Sequence, residues 1–202
     1  RTIQHSSEVA LRNGVTVRRI LDLVSEFRKK SSLPLLLMGY INPILSFGVD
    51  RFFRESRLAG IDGVIIPDLP PEESAMVREE SHRADISMVF LIAPTSSNDR
   101  IRTIDRLSTD FSYCVSVTGV TGARSELGVN GSLDHFLARV KENTKKPFVV
   151  GFGISNADQV RRVWQFADGA VVGSALLRVL EEAGGREALQ KAGMFFKSLR
   201  PS

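Results

Sequence analysis

Short continuous apolar runs recur along the chain, and an amphipathic stretch follows each one. The runs are LPLLLMGY (33–40), DGVIIP (62–67), ISMVFLI (86–92), FSYCVSV (111–117), KPFVVGF (146–152) and DGAVVGS (168–174). An apolar run without alternation suits a strand covered on both faces, as in a parallel sheet. The stretches between them carry helical stripes. VRRILDLVSEF sets Val17, Ile20, Leu21, Val24 and Phe27 on one side. VDRFFRESRLAG closes on Gly60, a glycine suited to end a helix. PPEESAMVREESHRA opens with Pro and two Glu, the chemistry of a first helical turn. SLDHFLARVKEN, SNADQVRRVWQF and REALQKAGMFFKSL continue the pattern. Strand, loop and helix in steady succession make a βα repeat. No Pro/Gly/Ser-rich linker or low-complexity tract interrupts it, so residues 1–202 are expected to form one α/β domain.

Two architectures accommodate such a repeat. An open doubly wound sheet suits six strands by count, whereas a (β/α)8 barrel needs eight. The glycines separate the two. A doubly wound nucleotide fold carries its Gly-rich turn after the first strand. Here the Gly-rich turns follow the last three runs, as VTGVTGARSELG, GFGIS and VVGSALL. Paired phosphate loops after the seventh and eighth strands are a recurring barrel feature. On that placement the six runs are the third to eighth strands of a barrel.

A glycine at a strand's end lets backbone approach a ligand, and the helix start that follows offers free amides to an anion. One such glycine alone would be no more than a tight turn. Gly153 and Gly173, with Ser174 beside the second, stand one βα unit apart after consecutive strands and point to a phosphate. Ser155 with Asp158 resembles a capping box, which would start a helix just after GFG.

Composition narrows the classes. Hydrophobic residues make up 43% and no apolar run reaches the length of a membrane helix. RTIQHSSEV lacks the apolar core of a signal peptide. Cys114 is the single cysteine, which excludes an intrachain disulfide and suits a cytoplasmic setting. The net charge of +4 is spread over helical stretches mixed with acids, without the aromatic interleaving of a nucleic-acid groove. His5, His82 and His135 have no companion at metal-ligand spacing, so no metal site is expected. Cys114, inside an apolar run, suits core filling better than nucleophilic work.

The chain resembles the tryptophan synthase alpha subunit family. RTIQHSSEVALRNGV, LLLMGYINPILSFG, GVIIPDLPPEES, YCVSVTGVTGAR, VVGFGIS and VVGSALL carry the likeness, in family order over the whole chain. The resemblance implies a (β/α)8 TIM barrel whose first two βα units belong before residue 1. It implies a lyase of tryptophan biosynthesis, which cleaves indole-3-glycerol phosphate by retro-aldol chemistry to indole and glyceraldehyde 3-phosphate. It also implies a beta-subunit partner in an alpha2-beta2 heterotetramer. Pyridoxal phosphate would be held by that partner, with no cofactor in this chain. The setting would be the cytoplasm, or a plastid in a plant.

The likeness also carries residues. Gly122, Gly153, Gly173 and Ser174 would hold the substrate phosphate. Phe152 would face the indole side of the pocket, with Tyr40 and Leu37 lining its far end. Tyr113 would point inward near the glycerol chain. Thr121 would support catalysis from a loop, bonding in the family to a catalytic Asp. That Asp and a catalytic Glu would both lie before Arg1, so these 202 residues by themselves are expected to bind phosphate without turnover. Asp68, at a strand's end, is expected to order loops near the partner rather than act as a general acid. The Asn42-Pro43 turn would shape a connection, and NPIL (42–45) would lie at the family's subunit contact. Two other readings remain at this point: a non-catalytic, activating partner of a beta subunit, and another phosphate-binding barrel enzyme. The latter class generally wants a strand lysine, and only Lys146 stands even at the edge of a run.

Overall fold

A computed structural model describes residues 2–115, 132–151 and 153–200. Its strands are β1 (Leu36–Met38), β2 (Gly63–Ile65), β3 (Ser87–Val89), β4 (Leu91–Ile92), β5 (Ser112–Val115), β6 (Phe148–Gly151) and β7 (Gly169–Ala170). The helices are α1 (Thr2–Arg12), α2 (Val17–Arg28), α3 (Ile41–Phe47), α4 (Val49–Ala59), α5 (Ala75–Arg83), α6 (Asn98–Leu107), α7 (Ser132–Asn143), α8 (Ala157–Val163), α9 (Ser174–Glu182) and α10 (Gly185–Ser198). All strand pairings among the described residues are parallel, in the orders β1-β2-β3 and β4-β5-β6-β7. This is a TIM-barrel wall with its helices outside.

Each of the six apolar runs contains a strand, and the third contains two. Phe90 divides it. Its amide donates to the Ser108 hydroxyl, while its carbonyl accepts from Tyr113 N at 3.0 Å. The amide therefore leaves the ladder, and the carbonyl carries the wall on to β5.

Strand periodicity sorts the side chains into two layers. Val64, Met88, Cys114, Phe148 and Val150 face the helices and join Phe53, Ile101, Leu137 and Val163 in the large core. Such a buried side chain contributes about 2 kcal/mol. Ile65, Val89 and Tyr113 face the barrel interior, with Leu36, Leu91, Val115, Val149 and Val171 against them.

The helix ends follow local chemistry. Gly60 ends α4 in the left-handed region at φ 92°, ψ 29°, as expected of that glycine. Thr16 and Ser97 cap α2 and α6 through their side chains. Three expectations need correction. Asn42-Pro43 is no turn: both residues lie in the first turn of α3, where proline's missing N–H costs nothing. The Pro71–Glu73 segment is a 3-10 turn, and α5 starts only at Ala75. The helix after GFG is capped by Asn156 rather than Ser155, its side chain accepting from Gln159 N at 2.9 Å. Asp158 pairs with Arg161 on the surface instead.

Polar ties gather where the strands begin. Arg28 donates from Nε to Gly60 O at 2.6 Å, and its guanidinium pairs with Asp62. Asp62 also accepts from Leu35 N at 2.7 Å. Asp105, only 6% exposed, accepts from Lys145 N and Lys146 N at 3.0 and 3.1 Å. Asp168 accepts from Phe148 N at 3.0 Å. Three carboxylates thus fix the entries to β1 and β6.

Candidate active site

The opposite ends of the strands carry glycine, tyrosine and loop backbone. Tyr113, on β5, is 5% exposed and lies in the interior cluster with Ile65 and Val89. Its ring leans along the wall toward the strand ends, over Gly151 of β6. A Cβ on Gly151 would meet the Tyr113 hydroxyl at 1.7 Å and the ring at 2.3 Å. Only a glycine lets the phenol lie there. Burial raises the Tyr113 pKa, so the phenol stays protonated and can donate a hydrogen bond to a ligand oxygen.

The two loops expected to hold phosphate leave neighbouring strands in register. Val150 pairs with Ala170, and Val171 N donates to Val150 O at 2.7 Å. Gly153 and Gly173 each stand three residues beyond that paired position. Gly153 takes φ 85°, a left-handed turn that a Cβ would strain. Ile154 beside it is 2% exposed and anchors the loop in the core. Gly173 is the N-cap of α9, and a Cβ there would meet nothing within 4 Å. Ser174 opens α9 itself, so its amide and hydroxyl lie among the unpaired donors of a first turn. Backbone donors after adjacent strands, with a helix dipole behind them, can take a phosphate dianion without any lysine.

Three expected site residues, Thr121, Gly122 and Phe152, lie outside the described residues. Tyr40 stands at the mouth of the barrel beyond β1, 67% exposed, and heads α3. Leu37 is a correction. It packs against both helix-side clusters, alongside Leu21, Val24 and Ile61, and so faces away from the interior. Leu36 instead packs on the Tyr113 cluster, and alternation puts Met38 on that same face, at the upper end of β1. The unbroken LLLM run hides which residues share a face, and a one-residue slip reverses the answer.

The remaining candidates have structural work. Asp68 accepts from Ile41 N at 3.0 Å and so orders the start of α3, as expected of a loop-holding carboxylate. Lys146 spends its ammonium on the Asp105, Arg106 and Ser108 carbonyls that end α6. Cys114 is fully buried, and burial pushes its thiol up to about 12, which leaves it inert. His82 and His135 are exposed on α5 and α7. Among the described residues no group of three or more His, Cys, Asp or Glu could hold a metal ion. No helix among them is long and apolar enough to cross a membrane.

The residue that sequence reasoning missed is Gln159. Its Oε1 accepts from Ser155 N at 2.7 Å and from Ser155 Oγ at 3.2 Å. The signal was available as Asn-x-x-Gln at helix-start spacing, displaced by one residue from the box assigned to Ser155.

Comparison with known proteins agrees with this geometry. The family model for the tryptophan synthase alpha chain matches residues 1–199. A tryptophan synthase alpha chain of Pelodictyon phaeoclathratiforme is 46% identical over 206 residues, covering 98% of this chain and 77% of the relative. The Chlorobaculum parvum chain of the same name is likewise 46% identical, with the same coverage. Among solved structures, an a2b2 tryptophan synthase complex from Pyrococcus furiosus aligns with a TM-score of 0.90 and 38% identity, covering 98% of this chain and 79% of that one. The alpha subunit from Legionella pneumophila aligns with a TM-score of 0.89 and 33% identity, covering 98% and 74%.

Proposed function

Because the chain belongs to the tryptophan synthase alpha chain family, we propose that Gly153, Gly173 and Ser174 hold the phosphate of its substrate. The family's activity is this chain's activity: a lyase reaction that splits indole-3-glycerol phosphate into indole and glyceraldehyde 3-phosphate, in tryptophan biosynthesis. The observation that supports the binding role is the pair of loops in register after β6 and β7, one ending in a left-handed glycine and the other in a helix start.

The site's other parts follow from position. With the phosphate at the loops after β6 and β7, the glycerol chain reaches inward past Tyr113. The protonated phenol donates to one of its hydroxyls. The indole ring lies toward β1, against Leu36 and Met38, with Tyr40 at the rim. Gly122 completes the phosphate grip, Phe152 flanks the indole and Thr121 supports the chemistry. Cleavage needs a proton delivered to the indole ring carbon and one removed from the adjacent hydroxyl as the carbon–carbon bond breaks. The family resemblance assigns that acid–base work to two carboxylates outside these residues.

The beta subunit is the proposed partner, in an alpha2-beta2 assembly of the kind solved for Pyrococcus furiosus. Pyridoxal phosphate is assigned to that partner and no cofactor to this chain. The cytoplasm is the proposed compartment. The test is an indole-release assay on the complete protein with a beta subunit. Release from indole-3-glycerol phosphate, inhibited competitively by glycerol phosphates, is the expected result. Absence of release with a folded complex would refute it.

A further inference from the structure

The glycine loop after β6 is exposed at Gly153, yet it is fixed from both sides. On one side β6 runs in register with β5 as far as Gly151. On the other, Ile154 is buried in the large core and Ser155 is bound by Gln159. That second hold is unusual in its reach. In a capping box the third helical residue bonds back to the cap residue's own amide. Here Asn156 is the cap, and Gln159 reaches one residue further, to the amide and hydroxyl of Ser155. Because a backbone amide can only donate, the oxygen of the Gln159 side chain must face it. The return bond, Gln159 N to Asn156 Oδ1 at 2.9 Å, caps α8 and does not involve Ser155.

Two consequences follow. First, α8 has only seven residues, too short to hold its own first turn firmly. Gln159 extends the ordered segment back to Ser155, two residues from Gly153. Second, both polar groups of Ser155 are engaged and do not compete for an anion. The donors left to a phosphate are those of the glycine turn and of the α9 start.

We propose that Gln159 is a positioning residue for the phosphate loop: by holding Ser155 it fixes the Gly153 turn in its anion-binding shape. It touches no substrate atom and acts through the backbone it restrains. Preorganisation of this kind raises affinity because the loop need not order itself on binding. The inference rests on the phosphate reading given above.

The experiment uses the complete protein with its beta subunit, titrated calorimetrically with inorganic phosphate and assayed for KM and kcat. Wild type, Gln159→Ala and Asn156→Ala are compared. Both substitutions remove half of the same helix cap and should lower the melting temperature alike. Only Gln159→Ala releases Ser155. It is expected to weaken phosphate binding and raise KM about fivefold with kcat nearly unchanged, while Asn156→Ala leaves both constants at wild-type values. Equal phosphate affinity in Gln159→Ala and wild type would overturn the inference, as would equal weakening in both variants. If wild type itself fails to bind phosphate, the reading of the loops falls, and that outcome is separate from the other two.

Discussion

Glycines stand at both ends of the barrel strands, under different constraints. Where the strands begin, a Cβ on Gly60 would meet the Arg28 side chain at 2.7 Å, one on Gly63 the Leu36 side chain at 3.0 Å, and one on Gly169 the Val149 side chain at 3.0 Å. Beyond the end of β7, a Cβ on Gly173 would meet nothing within 4 Å. The first three make room for the protein. Gly173 leaves room that the protein does not fill. The polar groups divide in the same way. Asp62, Asp105 and Asp168 are committed to backbone amides at the lower face. At the upper face α9 starts after Gly173 with no side-chain cap on its first-turn amides. One end of the barrel is tied by side-chain contacts and the other leaves open space, and this architecture places its ligands at the second end.

Gly151 breaks that pattern, since it lies at the upper end but is packed. The largest expected effect is therefore at Gly151→Ala, whose methyl group would collide with the Tyr113 phenol. Displacing that ring should lower kcat/KM by about a hundredfold or more and destabilise the fold by about 2 kcal/mol. Steady-state kinetics with a urea titration checks both. Activity close to wild type would show that Tyr113 does not set the pocket.

The lower face should respond in the opposite sense. Asp105→Ala leaves two part-buried strand-entry amides without acceptors and should cost about 2 kcal/mol in chemical denaturation. The kcat/KM of the remaining folded protein should stay at the wild-type value. A kinetic loss without a stability loss would erase the contrast between the two ends.

The sequence announced most of this wall and less of its detail. Apolar runs without alternation located every strand among the described residues, because strands covered on both faces must be apolar throughout. For the same reason they hid the facing of each residue, and Leu37 was assigned to the interior that Leu36 occupies. Helix stripes were legible apart from Phe27, which stands 40% exposed at the end of α2, and so was Gly60, whose left-handed turn is a local requirement. The start of α8 was misplaced by one residue, since SNADQ offers two cap residues in succession. The contact between Tyr113 and Gly151 could not be read, because the register of β5 on β6 is a long-range property. The glycine turns after β6 and β7 were legible, because Gly153 and the α9 start at Gly173 need particular backbone at fixed places after strands.

A smaller effect concerns the upper rim, where Glu72 of the 3-10 turn meets Arg100 of α6. The hydrogen bond from Arg100 holds the Glu72 carboxyl below its ordinary value, helped by a backbone hydrogen bond. A lowered folded-state pKa adds stability above the ordinary carboxylate range, and that stability is lost as pH falls through the folded value. Glu72 is solvated, so Arg100→Gln should move the acid-unfolding midpoint upward only slightly. An unchanged midpoint would mean that the pair contributes nothing to holding the rim.

The measurement that bears most directly on the division between the two ends is Gly173→Ala. Its Cβ has open space and its φ of −119° suits any residue. A thermal melt and a phosphate titration of the complete protein test it together. The expected result is an unchanged melting temperature with phosphate affinity reduced about tenfold, because the methyl group enters space kept for the ligand. A lowered melting temperature with unchanged phosphate affinity would contradict it and make Gly173 another packing glycine.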